Sequence, residues 1–354
     1  MVEMFLSRYK PIENPIKGGQ GEVIVCKDEH LDRKVAIKFI LSDRDKRRLL
    51  DEIKALQKIR SKHVVEIFDI LITEEPRRIG IIQEFVPGKD LVEIIASEKL
   101  SKADYLKLMY QIASGLADIH EQGIVHRDIK LNNIKIDEEN IVKIFDFGLA
   151  RILDSNTTTL GFVGTQLFAA PELYSHGIVS FTEAVDVYAF GVTAWLLSGE
   201  DPPDILTKFP PIGRDPSLCF SNLPYDLENE IYQALNLTVS NVPDNRPKMS
   251  SIKNLLGKHL LRGKHKATVV NGNSIYELTG ANRSVILTSN SNSIGIKYNE
   301  LDFIVFGIKG SVYINNQIIN EGYILPNNCV VTLGERHLPR SFITFDISNP
   351  EVVL

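Results

Sequence analysis

The sequence predicts an α+β chain with an N-terminal β-sheet lobe carrying one helix, a larger helical lobe, and a small all-β sandwich at the C-terminal end. Three observations carry this. Between residues 16 and 40, short β-branched runs alternate with Gly-rich and charged turns, which reads as an antiparallel sheet. After Gly88, long stretches of helical apolar periodicity take over at residues 105–120 and 185–197. Beyond Leu261 that periodicity fades, and a basic connector at residues 262–266 leads into short runs rich in β-branched residues, parted by Asn and Gly.

In the first lobe, Leu49, Ile53, Leu56 and Ile59 recur at helical spacing, giving one helix with a single apolar face over residues 47–60. Strands are expected at 64–72 and 79–85. The run 187–197, apolar-rich and free of charge, is too short to cross a bilayer and reads as a buried core helix. In the C-terminal region, strands are expected at 284–288, 302–306, 311–314, 330–333 and 342–347. Asn271-Gly272, Asn315-Asn316 and Asn327-Asn328 serve as turns between strands. The expected domains are residues 1–262, with the sheet lobe over about 1–86 and the helical lobe over about 87–262, and residues 267–354.

Composition excludes several function classes. The 354 residues are 44% hydrophobic and 24% charged, enough apolar surface to offset chain entropy, so a folded globular protein is expected. A net charge of -5 argues against nucleic acid as a partner, because phosphate-backbone binders concentrate Lys and Arg. From Lys264 onward, seven Lys plus Arg meet seven Asp plus Glu, so attraction to anionic lipid is not expected either. Cys26, Cys219 and Cys329 show no zinc or disulfide spacing, and with no leader-like apolar run at the start, a cytoplasmic location is expected.

Moving a γ-phosphoryl group requires a phosphate cradle, cations, ligands for a divalent metal, and a group that orients the attacking hydroxyl. Each has a candidate here, in a fixed order. Gly18, Gly19 and Gly21 join two expected strands and let backbone N–H groups approach phosphate, although such a cluster also makes an ordinary tight hairpin. Val35-Ala36-Ile37-Lys38 places an ammonium in an apolar strand, where it needs a partner. Glu52 on the next helix supplies one. His126-Arg127-Asp128-Ile129-Lys130 with Asn133, then Asp146-Phe147-Gly148, then Ala170-Pro171-Glu172, complete the series.

In these motifs the chain resembles the eukaryotic-type protein kinase family from about Tyr9 to Leu261. The resemblance implies the bilobal kinase fold and serine/threonine protein kinase activity, with ATP and Mg2+ as cofactors and proteins bearing Ser or Thr as substrates. It implies that Asp128 orients the substrate hydroxyl and accepts its proton, and that Lys130 steadies the transferring phosphate. Lys38 would reach the α- and β-phosphates while paired with Glu52, and Asn133 and Asp146 would hold Mg2+. Glu84 and Val86 match the hinge that hydrogen-bonds adenine, with Gln83 at the gatekeeper position and Val23 and Ala36 above the ring. Asp90 is placed either to reach ribose or a substrate cation, or to cap a helix. Phe147, His126 and Leu56 match the apolar column between lobes, Asp186 the buried aspartate that anchors the catalytic loop, and Glu172 with Arg246 a buried ion pair. Ile16 replaces the first glycine of the family's loop, and Asn132 stands where arginine-directed kinases carry Glu.

Lys130, together with Gly164-Thr165 ahead of Ala170, resembles the serine/threonine branch, where the Thr165 hydroxyl would tie the substrate loop to Asp128 and Lys130. Arg127, directly before Asp128, could pair with a phosphate on Thr157, Thr158 or Thr159 and so order the segment. A threonine run is equally an ordinary polar loop. The last third of the C-terminal region resembles the end of a forkhead-associated domain, a phosphothreonine-binding sandwich, with Lys309 where that family has asparagine. Its expected role is to dock a protein partner or the kinase's own lobe. The alternative to an active kinase is a pseudokinase scaffold acting through this module.

Overall fold

A computed structural model of the chain describes residues 7–18, 21–39, 46–73, 78–147, 150–152, 158–160, 166–174, 178–180, 182–208 and 219–348. The chain divides into two compact units, Met1–Lys253 and Asn254–Leu354.

In the first unit, β1 (Tyr9–Pro11), β2 (Ile16–Gly18), β3 (Gly21–Asp28), β4 (Arg33–Phe39), β5 (Ile67–Thr73) and β6 (Arg78–Glu84) form one sheet. Its order is β1-β3-β4-β6-β5, with β2 folded back on β3 and all pairs antiparallel. Strand alternation buries Val35, Ile37 and Phe39 of β4 in the sheet core with Ile24, Cys26, Leu71 and Ile82. Helix α1 (Lys46–Lys58) packs its Ile53 against Ile81 of β6. The strand expected from Val64 begins at Ile67. Val64 instead bridges to Ile144, because the backbone there turns under the lobe rather than extending into the sheet.

The helical part of this unit begins with β7 (Lys89–Asp90), α2 (Leu91–Ser97) and α3 (Lys102–Glu121). Asp90 caps α2, its carboxylate accepting from Glu93 N–H while the Glu93 side chain accepts from the Asp90 N–H. Ser101 caps α3 through its hydroxyl, which accepts from Asp104 N–H. The short strands β8 (Ile124–Val125), β9 (Ile134–Ile136), β10 (Val142–Ile144) and β11 (Arg151–Ile152) follow. β9 pairs with both β7 and β10, and β8 pairs with β11. Beyond them come β12 (Thr158–Leu160), β13 (Ile178–Ser180), α4 (Ala184–Leu197), α5 (Asp204–Thr207), α6 (Asn229–Thr238) and α7 (Met249–Leu260), which from Asn254 onward belongs to the second unit. Apart from Asp186, α4 carries no charge, and all but two of its residues are buried, as the uncharged run implied.

The second unit contains β14 (Ala267–Asn271), β15 (Ser274–Leu278), β16 (Ser284–Ser289), β17 (Asn292–Tyr298), β18 (Phe303–Lys309), β19 (Val312–Ile314), β20 (Gln317–Ile318), β21 (Asn328–Leu333) and β22 (Ser341–Ile347). They form a six-stranded sheet of order β15-β14-β22-β21-β19-β20 and a three-stranded sheet β16-β17-β18. Both contribute to one apolar core, including Val269, Ile294, Phe303, Val331 and Phe345. Asn315 and Asn316 both take positive φ in the β19–β20 turn, a conformation that asparagine tolerates. Asn328, expected in a turn, opens β21, where it lies opposite Asp346 of β22.

One close approach in the first unit is testable. A Cβ at Gly191 in α4 would lie 2.1 Å from Thr238 Oγ1 and 2.7 Å from Val239 Cγ1. Both neighbours are β-branched and stiff. Gly191→Ala should therefore destabilise the first unit by about 1–3 kcal/mol, read as a lowered thermal midpoint.

Candidate functional site

β4 carries Lys38 inward between core positions, and α1 aims Glu52 back at it. Lys38 Nζ lies 3.0 and 3.1 Å from the Glu52 carboxylate oxygens and 2.8 Å from Asp146 Oδ1. Burial opposes the charge on Lys38, but the two carboxylates outweigh it and hold its pKa above the ordinary value. Burial also opposes ionisation of Asp146, yet the Lys38 ammonium keeps that carboxyl below its usual range. Glu52 is raised, by its full burial first, with the charge of nearby Asp146 adding to it. One ammonium cannot neutralise two carboxylates, so the cluster keeps an excess of negative charge.

The loop from His126 to Asn133 is held from below by α4. Asp186, fully buried, accepts from His126 N–H and Arg127 N–H at 2.8 Å each and sits 3.0 Å from His120 Nε2. These donors outweigh the effect of burial, and Asp186 stays below its usual range. Arg127 in this loop takes φ 71° and Asp146 after β10 takes φ 67°, left-handed conformations that non-glycine residues adopt only when their surroundings hold them there. Burial lowers the His126 pKa and keeps the ring neutral. Its Nε2 donates to the Phe145 carbonyl at 3.2 Å, and its Nδ1 accepts from Asp128 N–H at 3.3 Å. The ring meets Phe147 edge-on at 4.6 Å, and Leu56 is also buried, as expected for an apolar column.

Asp128 is the focus of this loop. Lys130 Nζ donates to its Oδ2 at 2.8 Å, and Asn133 Nδ2 donates to its carbonyl at 2.8 Å and its Oδ2 at 3.0 Å. Asn133 thereby spends its donor on Asp128, which leaves its amide oxygen as an acceptor. Oxygen donors next to uncompensated negative charge suit Mg2+, which takes few protein ligands and fills its octahedron with water and substrate phosphate. Among the described residues, no group of three or more His, Cys, Asp or Glu is arranged to hold a metal. This donor set therefore does not form an all-protein cage. Glu172 and Arg246 pair through two bonds of 2.7 Å, and the guanidinium also donates to the Ser240 and Ala184 carbonyls at 2.9 Å.

Between sheet and helical part lies a cleft of about 360 Å3 lined by Val23, Ala36, Lys38, Gln83, Glu84, Val86 and Asp146 of the expected residues. Gly18 and Gly21 face each other across the β2–β3 hairpin, while Gly19 lies outside the described residues. Asp90 is committed to capping α2, the helix-capping reading of its two. Thr157, Thr165 and Gly148 lie outside the described residues. Thr158 and Thr159, expected in an open loop, are strand residues paired with Ser180 and Val179. Consecutive β-branched residues favour extended backbone, which is why a polar run reads here as a strand.

Several lining residues were not anticipated: Glu13, Val25, Val65, Pro87, Phe145 and Lys135. Lys135 aligns with Asp90 on β7 and with Lys143 on β10, so these side chains share one face. Lys143 is held by Glu84 Oε1 at 2.7 Å, whereas Lys135 Nζ stands 6.0 Å from the Phe145 ring centroid. The alternation that buries Ile134 sets Lys135 on the opposite side and gave no sign that it lines the cleft.

Sheet, single helix, helical part and this constellation together define a phosphoryl-transfer architecture. The protein kinase domain family matches residues 16–252, and the chain belongs to that family. It is 37% identical over 207 residues to "Mitogen-activated protein kinase 15" of Oryza sativa subsp. japonica, covering 55% of this chain and 41% of that protein. It is 28% identical over 274 residues to "Probable serine/threonine-protein kinase nek2" of Dictyostelium discoideum, covering 72% and 63% respectively. It is 30% identical over 222 residues to "Calcium-dependent protein kinase 4" of Plasmodium berghei (strain Anka), covering 58% and 41%. The chain thus spans less than two thirds of the length of each of these relatives. Protein kinases use ATP and Mg2+ and act on proteins. No helix among the described residues is long and apolar enough to cross a membrane.

Proposed function

We propose that this chain is an active serine/threonine protein kinase that transfers the ATP γ-phosphate to protein hydroxyls. The observation that carries the reading is the assembly of Lys38, Glu52 and Asp146 in one ion cluster, with Asp128, Lys130 and Asn133 in a second on the adjoining loop. The cleft supports adenine at the Glu84 and Val86 backbone, under Val23 and Ala36. Lys38 then bears on the α- and β-phosphates, and Asp146 and Asn133 offer oxygens to Mg2+, which supplies charge neutralisation to the phosphates when bound.

Asp128, fixed by Asn133 and Lys130, orients the incoming hydroxyl and takes its proton, and Lys130 faces the negative charge spread over the transferring group. The catalytic domain proposed is residues 1–262, with a separate β-rich domain over 267–354 that docks a protein partner. Three free cysteines, two of them buried with thiols pushed up to about 12 and about 11, support a reducing cytoplasmic setting.

Asp128→Asn keeps a side chain of the same shape for Lys130 and Asn133 to hold. Lys38→Met lets Glu52, already raised, take up a proton instead of standing as an unpaired charge. Each variant should therefore remain folded and lose roughly 100-fold or more in turnover under saturating ATP and Mg2+. Phosphate transfer to a generic protein substrate, measured beside thermal midpoints, checks this, and near wild-type turnover in either variant would overturn the role assignment.

Regulation is proposed through a phosphate on Thr157, Thr158 or Thr159 that pairs with Arg127. After incubation with ATP, mass spectrometry should place phosphate on at least one of the three. Full activity with none modified rules this out. Lys135 is proposed to support the base with its stem and ammonium. Lys135→Met should weaken ADP and adenosine binding alike, by between about twofold and thirtyfold, the range for a cation over an aromatic face. A loss confined to ADP would assign Lys135 to phosphate instead.

A further inference from the structure

In a two-layer sandwich, outward strand positions are expected to be polar. The six-stranded sheet of the second unit departs from this on its outer face. Register aligns Ile275 with Val270, Val270 with Thr344, and Thr344 with Val330 in one row across four strands. The next row aligns Phe342 with Thr332, Thr332 with Tyr313, and Tyr313 with Ile318. Their strand neighbours Val269, Phe345, Ile343, Val331 and Ile314 point the other way and form the core. Ile318 is 77% exposed, Ile275 68% and Phe342 60%. Thr344 and the buried Thr332 interrupt the two rows, but the remaining outward residues, Ile275, Val270, Val330, Phe342, Tyr313 and Ile318, are apolar or aromatic across all six strands, and such a face marks a surface that is covered by something.

The ends of the stripe name the occupant. At one end the outward row holds Glu277 and Asp346, with Lys266 paired to Glu277 at 2.5 Å. At the other end Arg340 lays its guanidinium over the Phe342 ring, 5.6 Å from the centroid. The face is therefore acidic at one end, apolar in the middle and basic at the other. A partner surface of one charge sign would meet like charge at one of the ends. A second copy, turned over about a two-fold axis running across the strands, brings its Arg340 to the first copy's Asp346 while apolar rows meet apolar rows, and the arrangement occurs twice by symmetry. We propose that the outer face of this sheet is a two-fold interface between two copies of the chain.

Sedimentation equilibrium of the full chain tests this. The wild type should show a reversible monomer–dimer equilibrium. Phe342→Lys and Ile318→Lys should each weaken the dimer by roughly tenfold or more, since each puts an unpaired ammonium into the apolar stripe. Both positions are exposed, so thermal midpoints should stay at the wild-type value, which separates lost association from misfolding. Arg340→Asp and Asp346→Arg should each weaken the dimer, and the double reversal should restore it to within about threefold. A chain that stays monomeric at its highest attainable concentration overturns the proposal, including the case where hydrogen exchange shows the face protected within the monomer. A dimer indifferent to Phe342→Lys and to the charge reversals overturns it equally.

Discussion

A buried ammonium must be matched by negative charge, and in this chain the match is drawn from parts distant in sequence. Lys38 comes from the sheet, Glu52 from helix α1, and Asp146 from the loop after β10. Removing both carboxylates would leave the ammonium stranded in the interior, which is far more unfavourable than forming the pairs is favourable. The cluster therefore fixes how helix and loop sit against the sheet as a condition of burying the lysine at all. The place of Lys38 and Asp146 in the cleft lining follows from that condition.

The adjoining loop is fixed by a different device. Asp186 offers its carboxylate to two successive backbone N–H groups and to His120, so the chain at His126 and Arg127 is pinned by its main chain rather than by its side chains. That leaves the side chains of Asp128, Lys130 and Asn133 to bond one another above it. The positive φ of Arg127 and Asp146 is the local strain tolerated for this arrangement, and it lies at the two turns that present Asp128 and Asp146. The Glu172–Arg246 pair anchors a further turn to the start of α4 through the Ala184 carbonyl, so the same helix supports two separate loops.

Much of this was legible in the sequence because the chemistry requires residue types that are otherwise unfavourable. A lysine in the middle of Val35-Ala36-Ile37 and an aspartate opening an uncharged helix are anomalies that only a partner resolves, and each points to its partner's existence. Lys135 carried no such anomaly: its strand is short, and a lysine beside isoleucine on a two-residue alternation reads as a solvent-facing position. Only the register with Asp90 and Lys143 turns it toward the cleft. Thr158 and Thr159 failed in the opposite sense. Their polarity suggested an open loop, whereas their branching decided for an extended strand. Asp90 satisfied both readings of its position in the sequence, and the capping box beside Glu93 shows which bonds it makes.

The two units place their polar groups differently, and this constrains what each can contribute. The first buries Glu52, His126, Asp128, Asn133 and Asp186 in a connected network, the low-dielectric setting in which charge and orientation can be prepared in advance. Among the described residues of the second unit, the buried polar side chains are His259, His265 and Thr332, and none of them is acidic. His265 is walled by Tyr298 and Phe303, and burial lowers its pKa, so its ring is neutral packing with a hydrogen bond to Ser348. Thr332 lies between Phe342 and Tyr313 in the outward row of the sheet. A unit whose interior holds no prepared charge can act only through the shape and charge of its surface. The surface feature it does possess is the apolar stripe with ends of opposite sign.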